Sequence, residues 1–148
     1  SPFFGRTQQS PFLRKLEQQA ETLGDRVRFT GYVPNDSMPE YYRLADLVCV
    51  PTLVEEAAGL VAVEAMGCGC PIIAGDLPAI HDTVVHKENG LLFESGNSQA
   101  LADAIIRMLA EPDLCAKLAG EGRRRVVQKF DWEIVAEKYG KIYQRLMD

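Results

Sequence analysis

The chain is short of positive charge, of metal-ligand clusters and of any uninterrupted apolar segment. Lys and Arg number 16 against 21 Asp and Glu, a formal charge of −5, which excludes the basic face that nucleic acid requires. The only basic run is Arg123-Arg124-Arg125. Late in a helical stretch, it reads as a solvated face, with contact to an anionic membrane as the alternative. The longest apolar run, residues 57–75, contains Glu64, Pro71 and several glycines, so it does not read as a membrane span. A signal-peptide pattern is missing. The opening SPFFGRTQQS has no initiator Met and points to a processed or truncated start. The four cysteines, Cys49, Cys68, Cys70 and Cys115, show neither disulfide nor zinc-site spacing. Cys68 and Cys70 form the one close pair, and no second pair or nearby His completes a metal set. They read as small buried residues in a reducing cytoplasm. Repeats, low-complexity segments and linkers are absent too. What remains, 148 residues at 47% hydrophobic and 25% charged, is one domain with room for a core.

Short β-rich runs alternate with helical patterns. Residues 27–30 (VRFT), 47–51 (LVCVP), 71–74 (PIIA) and 90–93 (GLLF) predict strands. The middle two are continuously apolar, as parallel strands covered on both faces should be. Helices are expected at 12–23, with Gly24 as the stop, and at about 37–45. The second opens on Ser37-Met38-Pro39-Glu40, a capping-box sequence. A third runs over about 59–66 and is closed by Gly67 and Gly69. Three more follow, at 98–109, 112–128 and 131–147, each with a cap residue or an N-terminal Pro. The alternation predicts an α/β fold: a three-layer α/β/α, Rossmann-like parallel sheet with right-handed crossovers and a helical C-terminal tail.

Between Glu56 and Asp76 stand nineteen residues, AAGLVAVEAMGCGCPIIAG, with one charge, Glu64. A carboxylate inside such a run is costly to bury unless it is hydrogen-bonded. Ligands of open parallel sheets bind beyond the carboxyl ends of the strands. The strand at 47–51 leads there through 52–58 into the helix that begins near Gly59. A helix start offers unpaired N–H groups and partial positive charge to a phosphate. Gly59, flanked by Ala57 and Ala58, leaves room for a ligand to come close. Two carboxylates beside a phosphate make sense as acceptors from hydroxyls: Glu64 from a ribose diol, Glu56 from another hydroxylated part. The inferred ligand is a nucleotide sugar. The plainer alternative has Glu64 paired with a Lys or Arg of another element and Glu56 exposed in a turn.

From Asp25 to the C-terminus the patterns F-x-G-x-V, Y-x-x-A-D, E-x7-E, E-A-M-x-C-G-x-P, N-G-L-L and F-x-W occur in order. In this the chain resembles the C-terminal, donor-binding domain of GT-B-fold glycosyltransferases, in particular the large retaining family 4. The resemblance implies that Tyr32 and Val33 meet the nucleobase through backbone groups. It implies that the N–H groups of Gly59, Leu60 and Val61 hold the diphosphate, that Glu64 binds the ribose hydroxyls, and that Glu56 lies by the transferred sugar as the catalytic glutamate. It further implies a nucleotide-diphosphate sugar as donor substrate, a hydroxyl acceptor (a sugar, a lipid-linked sugar or a small molecule), and no metal or other cofactor. The expected setting is the cytoplasm, with peripheral membrane contact as an option.

The chain departs from the family where Glu56-Ala57-Ala58-Gly59 replaces E-G-F-G and where Leu77-Pro78-Ala79 replaces a Gly-rich turn. The family's acceptor-binding domain, two further strands and an Arg/Lys pair on the diphosphate have no counterpart in residues 1–148, and Arg6 does not match that pair. The expectation is an incomplete donor domain that binds donor weakly, does not turn over by itself and folds well only inside a longer chain. Its missing strands would lie between 27–30 and 47–51. His81 and His86 lack a Ser or Cys partner and read as surface or packing residues. Tyr41, Tyr42, Tyr139 and Tyr143 read as core. Three functions remain open: a retaining glycosyltransferase, working by front-face attack for want of a covalent nucleophile; a nucleotide-sugar 2-epimerase of the same fold, against which E-x7-E and E-A-M-x-C-G-x-P argue; and a non-catalytic nucleotide-sugar-binding module.

Overall fold

The computed structural model describes residues 10–53 and 59–147. The chain divides into two compact units, Ser1–Met38 and Pro39–Asp148. In the first, helix α1 (Pro11–Glu21) starts where the Ser10 hydroxyl accepts the Leu13 N–H at 3.1 Å, with Pro11 in the first turn, where its missing N–H costs nothing. A 3₁₀ turn, Gly24–Arg26, follows. Residues 27–30 form no strand. Val27 is extended, at φ −120° and ψ 129°, but an extended segment becomes a strand only when a neighbour pairs its N–H and C=O groups, and none does among the described residues. The capping-box expectation also fails. Ser37 ends a 3₁₀ turn, Asn35–Ser37, that runs directly into helix α2 (Met38–Leu44).

The second unit is built on three parallel strands, β1 (Val48–Val50), β2 (Ile72–Gly75) and β3 (Leu91–Phe93), in the order β1-β2-β3. Helix α3 (Leu60–Gly67) connects β1 to β2. After β3 come α4 (Ser98–Ala110), α5 (Pro112–Lys129) and α6 (Trp132–Met147). The Asn97 side chain caps α4 by accepting the Ala100 N–H at 3.0 Å, and Pro112 opens α5. The expected parallel α/β unit with a helical C-terminal end is what the chain adopts.

Alternation sorts the strand side chains onto two faces. Laterally paired Cys49, Ile73 and Leu91, with Leu47 and Phe93, meet Met108 of α4 and Leu118 of α5 in one apolar cluster. Cys115 joins its rim, so Cys49 and Cys115 serve as small packing residues. Burial pushes the Cys70 thiol up to about 11, which keeps it protonated and unreactive. Among the described residues all the cysteines are free.

Arg123 and Arg124 are exposed, as a solvated face requires, and Arg125 is half-buried. The run also anchors neighbouring elements. Arg123 donates to the carbonyl of Gly67, the last residue of α3, where a cation also complements the helix dipole. Arg125 donates to the Asp82 carbonyl at 2.7 Å, and Arg124 forms an exposed pair with Glu121. Helical spacing marks a polar stripe, but it does not reveal orphan carbonyls on neighbouring elements. Tyr41, Tyr139 and Tyr143 are likewise exposed rather than core, at 46%, 59% and 64%. No residue of α6 is buried, so its apolar stripe lacks a full cover within the described residues. No described helix is long and apolar enough to cross a membrane.

Two side chains secure the segment before β3. Asn89, 3% exposed, accepts the Val85 N–H at 2.6 Å and donates to the Thr83 carbonyl at 2.8 Å. This gives the Asn of N-G-L-L a structural task. His86 Nδ1 accepts the Leu92 N–H at 2.9 Å, which blunts the open edge of β3. That bond needs a neutral ring. Desolvation, with Lys87 and Arg107 adding to it and Asp76 opposing, holds the His86 pKa below its ordinary 6.5. Replacing Asn89 by Leu strands a buried N–H and a buried carbonyl, and should cost about 2–5 kcal/mol in a urea melt. Because the unfolded chain binds the His86 proton more readily, stability should fall as pH drops below about 6.5. His86→Gln, whose amide oxygen accepts at any pH, should flatten that part of the profile of melting temperature against pH.

Candidate functional site

The carboxyl ends of the three strands are tied together. The Ser95 hydroxyl, just past β3, donates to the Thr52 carbonyl, just past β1, at 2.8 Å. The bond passes beside Gly75 at the end of β2, where a Cβ would stand 3.0 Å from that same carbonyl oxygen. Any larger residue at 75 would push the strand ends apart. Beyond these ends lies a narrow apolar cleft lined by Val50, Thr52, Gly59, Ala74, Leu77 and Ile80. The 3₁₀ turn Pro78–Ile80 forms one wall, so Leu77-Pro78-Ala79 gives the site an apolar side.

Gly59 sets the direction of α3. It is buried, has φ +56° and ψ 39°, and a Cβ there would lie 2.5 Å from Ile80 Cδ1. The left-handed conformation favours glycine, while the Ile80 methyl, at the end of a flexible side chain, could turn aside from a Cβ. Its carbonyl takes the N–H groups of Ala62 and Val63 at 2.9 and 3.2 Å. Leu60 and Val61 occupy the first two helical positions, where a helix offers N–H groups that it does not pair internally. The Leu60 and Val61 side chains are 64% and 42% exposed, so this end of the helix opens outward. At its far end the helix closes on Gly69, at φ +79°. The Cys70 N–H reaches the Ala65 carbonyl at 3.0 Å and the Gly69 N–H reaches Met66 at 2.9 Å, a Schellman closure.

Glu64 is not the buried charge that its apolar neighbours suggest. It is exposed, on the open side of a helix whose Ala62, Ala65 and Met66 are fully buried. The helical turn, not desolvation, decides its environment. Neither does a cation hold it among the described residues. Its Oε2 accepts the hydroxyl of Tyr42 at 3.0 Å. Tyr42, in α2, is 5% exposed. Burial first, then the hydrogen bond and the charge of Glu64, push its phenol up to about 12, so it stays an O–H donor at any working pH. Sequence reasoning placed this ring in the core and missed its polar end. The one available signal was the Tyr of Y-x-x-A-D, which is this residue.

The structure thus brings Gly59, Leu60, Val61 and Glu64 together on the first two turns of α3. Glu56, with Ala57 and Ala58, lies outside the described residues, as does Arg6. Tyr32, 68% exposed, and half-buried Val33 belong to the first unit, on the irregular stretch before Asn35. His81 Nε2 stands 2.5 Å from Asp76 Oδ1, with both side chains about half exposed, in keeping with a surface role.

Comparison with known proteins bears on this geometry. Residues 4–125 match the family model described as glycosyl transferases group 1. The phosphatidyl-myo-inositol mannosyltransferase of Mycobacterium leprae is 35% identical over 130 residues, which are 88% of this chain and 34% of that protein. Among solved structures, sucrose-phosphate synthase from Thermosynechococcus elongatus superposes with a TM-score of 0.84 at 39% identity, covering 92% of this chain and 34% of that one. Anabaena HepE in complex with UDP-glucose superposes with a TM-score of 0.85 at 28% identity, covering 93% and 38%. The chain spans about a third of the length of these relatives. On the match over residues 4–125, the chain belongs to the glycosyl transferases group 1 family.

Proposed function

We propose that the chain is the donor-binding part of a retaining, family 4-type glycosyltransferase that moves a sugar from a nucleotide-diphosphate sugar to a hydroxyl acceptor. The observation that carries this reading is the start of α3. It combines a left-handed Gly59 at the N-cap, exposed Leu60 and Val61 at the first two helical positions, and an exposed Glu64 that no cation pairs among the described residues. The N–H groups suit the diphosphate, whose charge grows as the sugar leaves. Glu64 suits the ribose diol, and Glu56 the transferred sugar. Tyr32 and Val33 are assigned to the nucleobase. The UDP-glucose complex of HepE supports a nucleotide sugar as the ligand class. Retention follows from front-face attack in which the leaving phosphate assists, and no metal is required. A cytoplasmic protein with peripheral membrane contact fits this reading, since the mycobacterial relative is named for a phosphatidylinositol substrate.

Four measurements on the intact protein test it. Glu64→Gln should weaken nucleotide-sugar binding by about 10- to 100-fold, the range for a hydrogen bond to a charged group, with an unchanged melt. Glu56→Gln should lower the turnover of sugar transfer by about a hundredfold, and full activity in both variants would remove the site assignment. Chelation by EDTA should leave the transfer rate unaltered, and product NMR should show the donor's anomeric configuration retained.

A further inference from the structure

Glu64 is held from behind. Its partner, Tyr42, comes from α2, 22 positions earlier in the chain, so the contact is tertiary and not a by-product of helical spacing. Only Oε2 is engaged, and Oε1 has no partner among the described residues. A glutamate on the exposed side of a helix samples many rotamers, and a ligand that binds it must remove that freedom. A buried, fixed phenol removes it in advance. The hydroxyl is well chosen for this. A Lys or Arg would hold the carboxylate as firmly but neutralise it, which would weaken its acceptance of ligand hydroxyls. Tyr42 orders the group and leaves its charge in place.

We propose that Tyr42 is a positioning residue, which fixes Glu64 through Oε2 so that Oε1 is presented to the ribose diol of a nucleoside diphosphate. The proposal rests on the reading of Glu64 as the ribose-binding group, and it adds α2 to the machinery of the site. Tyr42 itself touches no reacting atom, so its effect falls on donor affinity and on discrimination between ribose and deoxyribose.

The test uses the intact protein and calorimetry with UDP, GDP and ADP, followed by the 2′-deoxy form of whichever binds most tightly. Wild type, Tyr42→Phe, Glu64→Gln and the double variant are compared. Tyr42→Phe should weaken the ribonucleotide by about fivefold to tenfold and raise the donor KM by a like factor, with kcat at saturating donor unchanged. The loss should vanish in the Glu64→Gln background and with the 2′-deoxy ligand, as coupling through Glu64 requires. The ratio of ribo to deoxy affinity is read on one sample, so it remains informative even if the variant is less stable. An unchanged ratio in Tyr42→Phe, or an equal loss on the Glu64→Gln background, overturns the positioning role. Wild-type discrimination that survives in Glu64→Gln overturns the ribose assignment beneath it, and the two failures are distinct.

Discussion

The site hangs on one backbone turn, that of Gly59 at the start of α3. At φ +56° and ψ 39° the backbone enters α3 by a left-handed conformation that other residues adopt only with strain. Several consequences follow from that single turn. The helix begins beside the strand ends, with Gly59 lining the same cleft as Val50, Thr52 and Ala74, and its dipole is directed there. Ile80 is held against the cleft, and the 3₁₀ turn Pro78–Ile80 becomes its wall. The Glu64 side chain, in the second turn, then faces outward. A change at residue 59 would therefore disturb the start of the helix, the cleft and the carboxylate together.

Helix α3 is short and apolar on most sides, so its position cannot come from an amphipathic face alone. It is fixed at several points. Ala62, Ala65 and Met66 are fully buried, the C-terminus closes on Gly69, and Arg123 takes the carbonyl of Gly67. Tyr42 then ties its exposed side to α2. Small side chains let the helix sit close to the sheet, and the polar anchors stop it from sliding. An eight-residue helix would be marginal without such support. Rigidity at this element has a functional meaning, because binding groups that are already ordered need not be ordered by the ligand.

Much of this was legible in the sequence. The three strands and all six helices were placed to within a few residues, because periodicity, caps and Gly stops are local signals. The misplaced strand at 27–30 was a failure of a different kind, since extended backbone becomes a strand only through a partner. The anchoring bonds of Arg123 and Arg125 were not legible because the carbonyls they bind lie about 40 to 60 positions away along the chain, out of reach of pattern. Glu64 stands differently from what its neighbours suggest. Its isolation among apolar neighbours suggested burial, whereas the helix turns it out to solvent. Tyr42 was correctly placed in the core, yet its hydroxyl was overlooked, since no spacing rule joins residue 42 to residue 64.

The recurrent patterns of the chain therefore divide by physical role. Asn89 of N-G-L-L and the Gly69 stop within E-A-M-x-C-G-x-P maintain backbone geometry, and nothing in their chemistry is aimed at a ligand. Gly59, Glu64 and the Tyr of Y-x-x-A-D converge on one helix end. A buried side chain must find a partner for each polar atom, as Asn89 finds its backbone partners. Glu64, on the exposed side of its helix, has a neutral donor at one oxygen and, among the described residues, no protein partner at the other, so its charge is ordered without being neutralised.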